Sequence, residues 1–182
     1  TGEYVFETLK NYLFKKNFIK EEWNALNILS KDASSVGAID LGIYSLNDNN
    51  NFLFFDKLKK NEFKLIYLLG YDQLLPIEKK NEFIIYQGSH GDQGAEIADM
   101  ILPGAAYTEK NGLFVNTEGR LQKAYKATYA PGFAKEDWKI INELSEYLGK
   151  PLNFNNHREI ENKIYNEIKY YLNFDKNLLL KN

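Results

Sequence analysis

No cysteine occurs in the 182 residues, and only four prolines, one methionine and two arginines do. The first absence removes disulfides, thiolate zinc sites, cysteine-held iron–sulfur clusters and cysteine nucleophiles together. Strong charge of one sign is missing too: 23 Lys and Arg stand against 25 Asp and Glu, for a formal net charge of −2. A nucleic-acid-binding domain would carry a basic stripe, so nucleic acid is not an expected partner. With two histidines and no cysteine, a metal site would rest almost wholly on carboxylates, and none is expected. No run approaches the ~20 apolar residues of a membrane-spanning helix. The opening residues Thr1 to Tyr4 show neither a signal-peptide nor a transit-peptide pattern, so direct membrane insertion is not expected.

What is abundant is lysine and asparagine, 21 of each. Arginine is the better bidentate partner for carboxylates and phosphates. A 21-to-2 preference for lysine therefore has no physical motive and reads as an AT-rich coding bias, of the kind found in organellar genomes and in AT-rich bacteria.

The periodicity gives an α/β fold class. Val5, Leu9, Tyr12 and Leu13 recur on one helical face, and a second helix is expected from Glu21, with Trp23, Leu26, Ile28 and Leu29 inward. Asn47 to Asn51 is a loop by composition, since Asn and Asp side chains bond their own backbone. Three apolar runs follow: Leu65 to Leu69, Phe83 to Tyr86, and Met100 to Leu102. None alternates, which predicts parallel strands covered on both faces. Each is closed by a breaker: Gly70, Gly88 and Pro103-Gly104. Glu136 to Leu148 is an amphipathic helix with Trp138, Ile141, Leu144 and Leu148 inward, stopped by Gly149 and Pro151. Another runs from His157 to Leu172 through Ile160, Ile164 and Ile168. Together these describe a Rossmann-like parallel sheet with flanking helices. A chain that opens on a helix before its strands is expected to start inside such a fold. Residues 1–150 form the α/β domain of this reading, and 151–182 a helical extension.

Two stretches could carry chemistry. Gln87 to Gly94 follows a strand and has glycines at 88, 91 and 94, which invites a phosphate-cradling reading. The spacing is GxxGxxG, however, and the helical segment after it is too short to offer a proper amide terminus. His90 and Asp92 could pair as acid and base, or could simply hold the turn. In the second stretch, Glu109 precedes an Asn111-Gly112 turn and a short strand. Asn116, Glu118 and Arg120 then alternate, which on an extended segment would place them on one face. That corner is either a ligand site or a self-satisfied buried polar network.

Here the residues carry a resemblance. "ADMILPGAAYTEKNGLFVNTEGRLQ" resembles the segment AD-x-x-LP-x-A-x-x-x-E-x-x-G-x-x-x-N-x-EGR-x-Q of molybdopterin oxidoreductases. "FIIYQGSHGDQGAEIADMILPGAAYTEK" and "NTEGRLQKAYKATYAPGFAKEDWKIINELSEYLG" are similar, within that superfamily, to the largest iron–sulfur subunit of respiratory complex I, the NADH:ubiquinone oxidoreductase. "WNALNILSKDASSVGAIDLG" and "KLIYLLGYD" extend the likeness over roughly residues 20–150.

The resemblance implies a molybdopterin-oxidoreductase-like fold in a part of that subunit that carries no molybdenum cofactor and no electrons. Iron–sulfur clusters and FMN belong elsewhere in the complex. The implied partners are the cluster-binding N-terminal half of the subunit, on the same or a separate chain, and other peripheral-arm subunits. The implied location is the matrix side of the mitochondrial inner membrane, or the cytoplasmic face of a bacterial membrane. No catalytic residue is expected. Gly88, His90, Asp92, Asn116, Glu118 and Arg120 remain as vestigial cofactor-site candidates. Two rivals stand beside this: a piece of a true molybdopterin enzyme such as a formate dehydrogenase relative, and a non-enzymatic interaction domain.

Overall fold

The computed structural model describes residues 2–20, 25–26, 29, 32–43, 56–72, 79–169 and 171. In chain order these form α1 (Gly2–Lys15), α2 (Ser35–Asp40), β1 (Leu65–Leu69), β2 (Phe83–Gly88), α3 (Gln93–Ile97) and β3 (Met100–Pro103). They continue with β4 (Gly112–Val115), β5 (Leu121–Ala124), α4 (Asp137–Tyr147) and α5 (His157–Glu167). Strands β1, β2 and β3 lie side by side in that order, all parallel, with Leu65 opposite Phe83 and Ile85 opposite Met100. Strands β4 and β5 form a separate antiparallel hairpin. The three expected strands are present at their expected places, in an α/β arrangement.

One face of the parallel sheet is closed. Ile66, Leu68, Ile84 and Tyr86 are buried there against Leu58, Phe63 and α3-side Ala95, Ile97 and Ala98. Each fully buried aliphatic side chain of this kind contributes about 1.5–3 kcal/mol. The other face departs from expectation. Leu65, Phe83 and Met100 on it remain 44–55% exposed. The helix that reaches that face, α4, does so at its N-terminus, through Gln87 on the central strand, so Leu65 and Leu69 at the two ends of β1 stay open. The apolar runs have the composition of strands covered on both sides, but the described residues cover one side and part of the other.

A second core joins the hairpin to the C-terminal segment. Val115 of β4, Ile168 and Tyr171 are buried together, with Val36 of α2, Leu121, Ile164 and Tyr165 around them. Tyr171 also donates its hydroxyl to Asp40 Oδ2, tying α2 into the same cluster.

Three further expectations need correction. Helix α1 forms as its spacing predicts, yet Val5, Leu9 and Tyr12 are exposed and only Leu13 of the expected stripe is half-buried. Where the second helix was expected, Ala25, Leu26 and Leu29 are not helical, and Leu29 points outward; the remainder of that stretch, like the Asn47–Asn51 loop, lies outside the described residues. Helix α5 stops at Glu167 rather than Leu172. Among the described residues no helix is long and apolar enough to cross a membrane.

Candidate functional site

In open parallel sheets the ligand crevice lies beyond the carboxyl ends of the strands. Here those ends are laced by the backbone: Gly70 N donates to Gln87 O at 2.7 Å, and Gly104 N donates to Gly88 O at 2.9 Å. A Cβ on Gly104 would stand 2.9 Å from Asp137 Oδ1, so the Asp137 carboxylate takes the space a side chain would need there. Above them opens a cleft of about 490 Å³, lined among others by Ser34, Asp72, Ser89, Lys110 and Asp137.

A polar chain runs beneath the cleft. Gln87, the last full residue before the Gly88 break, is entirely buried. The Tyr67 hydroxyl donates to Gln87 Oε1, and Gln87 Nε2 donates to Asp137 Oδ1 at 2.9 Å. The other oxygen of Asp137 is ion-paired with Lys110. Burial, and then the Asp137 charge, push the Tyr67 phenol above its ordinary pKa. The network therefore fixes the N-terminus of α4 against β1 and β2 and engages the cation that lines this cleft. None of these four is a candidate site residue by sequence, though Gln87 falls in a marked stretch, there as the start of the glycine loop; the signal was a lone amide at the end of an apolar run.

The glycine loop is filled from within. A Cβ on Gly88 would lie 2.2 Å from the Tyr86 hydroxyl oxygen, and one on Gly94 would lie 2.7 Å from Tyr86 Cδ2. The two glycines thus make room for the ring of Tyr86. Its hydroxyl donates to His90 O at 2.8 Å and to Asp72 Oδ2 at 3.3 Å. Burial, with the Asp72 charge behind it, raises the Tyr86 phenol pKa. Gly94 N, the amide that would face an anion, donates instead to Asp72 Oδ1 at 2.7 Å. The adjoining surface is lined by Asp72, Asp92 and Glu96. Helix α3 is five residues long, as short as the sequence indicated.

The structure does not bring the side chains of His90 and Asp92 together. His90 Nδ1 lies 2.9 Å from Ser89 Oγ, and both are exposed. Asp92 precedes α3, accepts the Ala95 and Glu96 amides through its backbone carbonyl, and makes no side-chain cap. No hydrogen bond joins the two side chains among the described residues.

The Asn116–Arg120 corner is likewise different from its expected form. The stretch is the reversal of the β4–β5 hairpin, not an extended segment. Asn116 Oδ1 accepts Glu118 N at 3.0 Å and Arg120 N at 2.9 Å, and Gly119 takes φ +78° to close the turn. Alternation in sequence does not place residues on one face when the chain reverses between them. The side chains of Glu118 and Arg120 make no hydrogen bond or ion pair among the described residues, so the corner is not a self-satisfied network there. Glu109 is self-satisfied, with Oε2 accepting Ala106 N at 2.9 Å. The clefts lined by loop residues 88–92 do not include residues 116–120.

The sequence profile of molybdopterin oxidoreductases matches residues 1–147. The chain belongs to the molybdopterin oxidoreductase family. It is 49% identical over 163 residues to the NADH-ubiquinone oxidoreductase 75 kDa subunit of Reclinomonas americana, covering 89% of this chain and 23% of that protein. It is 48% identical over 153 residues to the mitochondrial NADH-ubiquinone oxidoreductase 78 kDa subunit of Candida albicans, covering 83% and 20%. It is 40% identical over 176 residues to an NADH-quinone oxidoreductase subunit of Rickettsia conorii, covering 96% and 24%. The chain thus spans about a fifth to a quarter of the length of these relatives.

Family membership raises the question of whether the molybdopterin group fits this crevice. That group is anionic through its phosphate, and an anion wants free amides and unpaired cations. At the glycine loop the amide of Gly94 is taken by a carboxylate, the cradle is filled by a tyrosine ring, and Asp72, Asp92 and Glu96 face the opening. Lys110 is already paired with Asp137. The residues of this loop do not fit a molybdopterin phosphate.

Proposed function

We propose that the chain is a structural part of the NADH-oxidising arm of a respiratory NADH:quinone oxidoreductase, supporting the cluster-bearing part of its subunit without carrying electrons. The observation that carries this is the identity of 40–49%, over most of the chain, to subunits of NADH-ubiquinone and NADH-quinone oxidoreductases. The filled glycine loop supports the non-catalytic half of the reading, because the residues that could have met a cofactor are bonded to one another. The absence of cysteine supports placing the iron–sulfur clusters on other parts of the assembly. Relatives in mitochondria and in Rickettsia support a location on a membrane-bound complex, on the matrix side or its bacterial equivalent.

The test is to isolate the native complex that contains this chain and to assay it for NADH oxidation, molybdenum and pterin. Co-migration with NADH-dehydrogenase activity in a high-mass native band, with no stoichiometric molybdenum or pterin, is the expected result. Stoichiometric molybdenum with the chain would favour a molybdopterin enzyme instead. Migration outside any respiratory assembly would remove the proposal.

A further inference from the structure

The segment between β5 and α4 presents aromatic side chains outward from a backbone tied down at both ends. On one side Lys126 N donates to Asn111 Oδ1 at 3.1 Å, and Ala127 N and Thr128 N both donate to Thr108 O, at 2.7 and 3.2 Å. On the other, Ala105 N donates to Lys135 O at 2.7 Å and Lys135 N to Pro103 O at 3.1 Å, so the segment continues alongside the end of β3. Between these anchors a turn is closed by Ala134 N donating to Pro131 O at 3.0 Å, with Gly132 at φ +55°. On this frame Tyr125, Tyr129 and Phe133 stand 73, 82 and 93% exposed.

Single exposed apolar residues need no explanation. Three aromatics on one anchored segment are another matter, because a backbone fixed in advance loses little further entropy when a partner covers it. Aromatic side chains of this kind are the common anchors of protein interfaces. The charge around them is one-sided. Residues 121–135 contain Lys123, Lys126 and Lys135 and no acid. Lys123 and Lys135 are neutralised by Glu161 and Glu143. Lys126 makes no ion pair among the described residues, and its Nζ lies 4.6 Å from the centroid of the Tyr129 ring. The patch therefore offers rings and one uncompensated cation. A chain of net charge −2 is not drawn to lipid or nucleic-acid anions by its long-range field, whereas an acidic rim beside apolar pockets satisfies both the rings and Lys126.

We propose that residues 125–134 are a docking loop for another polypeptide of the assembly, whose surface offers apolar pockets beside an Asp or Glu that pairs with Lys126. The inference rests on the reading of the chain as part of a multisubunit oxidoreductase.

Hydroxyl-radical footprinting of the intact native assembly tests it, with a synthetic 121–135 peptide as the freely exposed reference. Tyr125, Tyr129 and Phe133 should be labelled at least about fivefold less in the assembly than in the peptide, as interface-core residues shielded from water are. Carbodiimide coupling of the same assembly should join Lys126 to an Asp or Glu of another polypeptide, and Lys126→Gln should abolish that cross-link while the chain still assembles. Labelling equal to the peptide in an assembly that contains the chain would overturn the docking loop and leave the proposed function standing. Protection that disappears when lipid is stripped would assign the loop to the membrane and overturn the protein partner. Protection without the Lys126 cross-link would overturn the acidic partner. Absence of the chain from any assembly would remove the function and the partner together.

Discussion

At the scale of single residues, the glycines and the polar corner of the most motif-like stretch serve packing and turn formation. Gly94 is occupied on its open side by the Tyr86 ring, 2.7 Å from where a Cβ would sit, so Gly94→Ala forces the ring or the loop to move. The expected cost is about 1–3 kcal/mol, the range for overpacking, read as a lower denaturant midpoint. A variant as stable as the parent would mean the ring has room to swing away. Asn116 caps two amides of the hairpin reversal, whereas Arg120 caps none with its side chain. Asn116→Ala should therefore cost about 1 kcal/mol, while Arg120→Ala stays within about 0.5 kcal/mol. Equal losses at the two positions would restore the corner as a polar network. Sequence reading marked these residues, and the structure draws Asn116 alone of the corner's three side chains into the hydrogen bonds of the turn. Conspicuous residue types mark a stretch, but which groups bond depends on a reversal that spacing alone does not show.

Secondary-structure elements were more legible than their contacts. The three strands and the α4 helix follow directly from apolar runs and their breakers, since that signal is local. The hairpin was half legible: its first strand was read after Asn111-Gly112, but its second does not alternate cleanly, and the clasp that holds it to α5 joins positions 38 apart in the chain. In that clasp Glu161, nearly buried, lies 2.6 Å from Lys123 of β5 and 2.8 Å from His157 of its own helix. Burial pushes the Glu161 carboxyl upward, but the Lys123 hydrogen bond and charge, with His157, bring it below its ordinary value. The Glu161 hydrogen bond raises Lys123 in turn. Asp99, bonded to Lys79 and to Ile84 N, and Glu82, bonded to its own amide and those of Lys80 and Asn81, are also lowered. A lowered carboxyl contributes stability that is complete above its unfolded pKa, about 3.9–4.3, and is lost as pH falls through the folded one. Lys123 contributes stability that is complete below about pH 10.4 and is lost as pH rises through its folded value. The denaturation midpoint should then hold across neutral pH and fall on the acid side below about pH 4. Glu161→Gln should lower the midpoint at pH 7 and flatten the acid limb, because one of the titrating contributors is gone. Parallel acid limbs in parent and variant would show that the clasp carries none of the dependence.

At the scale of the whole molecule, the feature that sequence could not reveal is how much apolar surface stays open. Period and composition report which side chains want cover; they do not report whether cover is supplied by the same stretch of chain. The open part of the parallel sheet and the outward residues of α1 belong to elements that form as their patterns dictate, and the aromatic loop after β5 is a third open surface. All three lie in a chain that spans only about a fifth to a quarter of the length of its relatives. Exposed apolar patches beyond a few hundred Å² mark interaction surfaces or promote association. The α1 stripe is the simplest of these to isolate, because helix formation there does not depend on burying it against the described core. Val5→Lys with Leu9→Lys places two charges on that face without touching either buried cluster. When the chain is expressed on its own, the double variant should bind less of a hydrophobic dye and stay monomeric to higher concentration than the parent, with the same far-ultraviolet dichroism. In the native assembly the same double variant should reduce incorporation of the chain, if the stripe is covered there. Unchanged dye binding together with full incorporation would show that the stripe of α1 is exposed in every state of the protein and serves no contact.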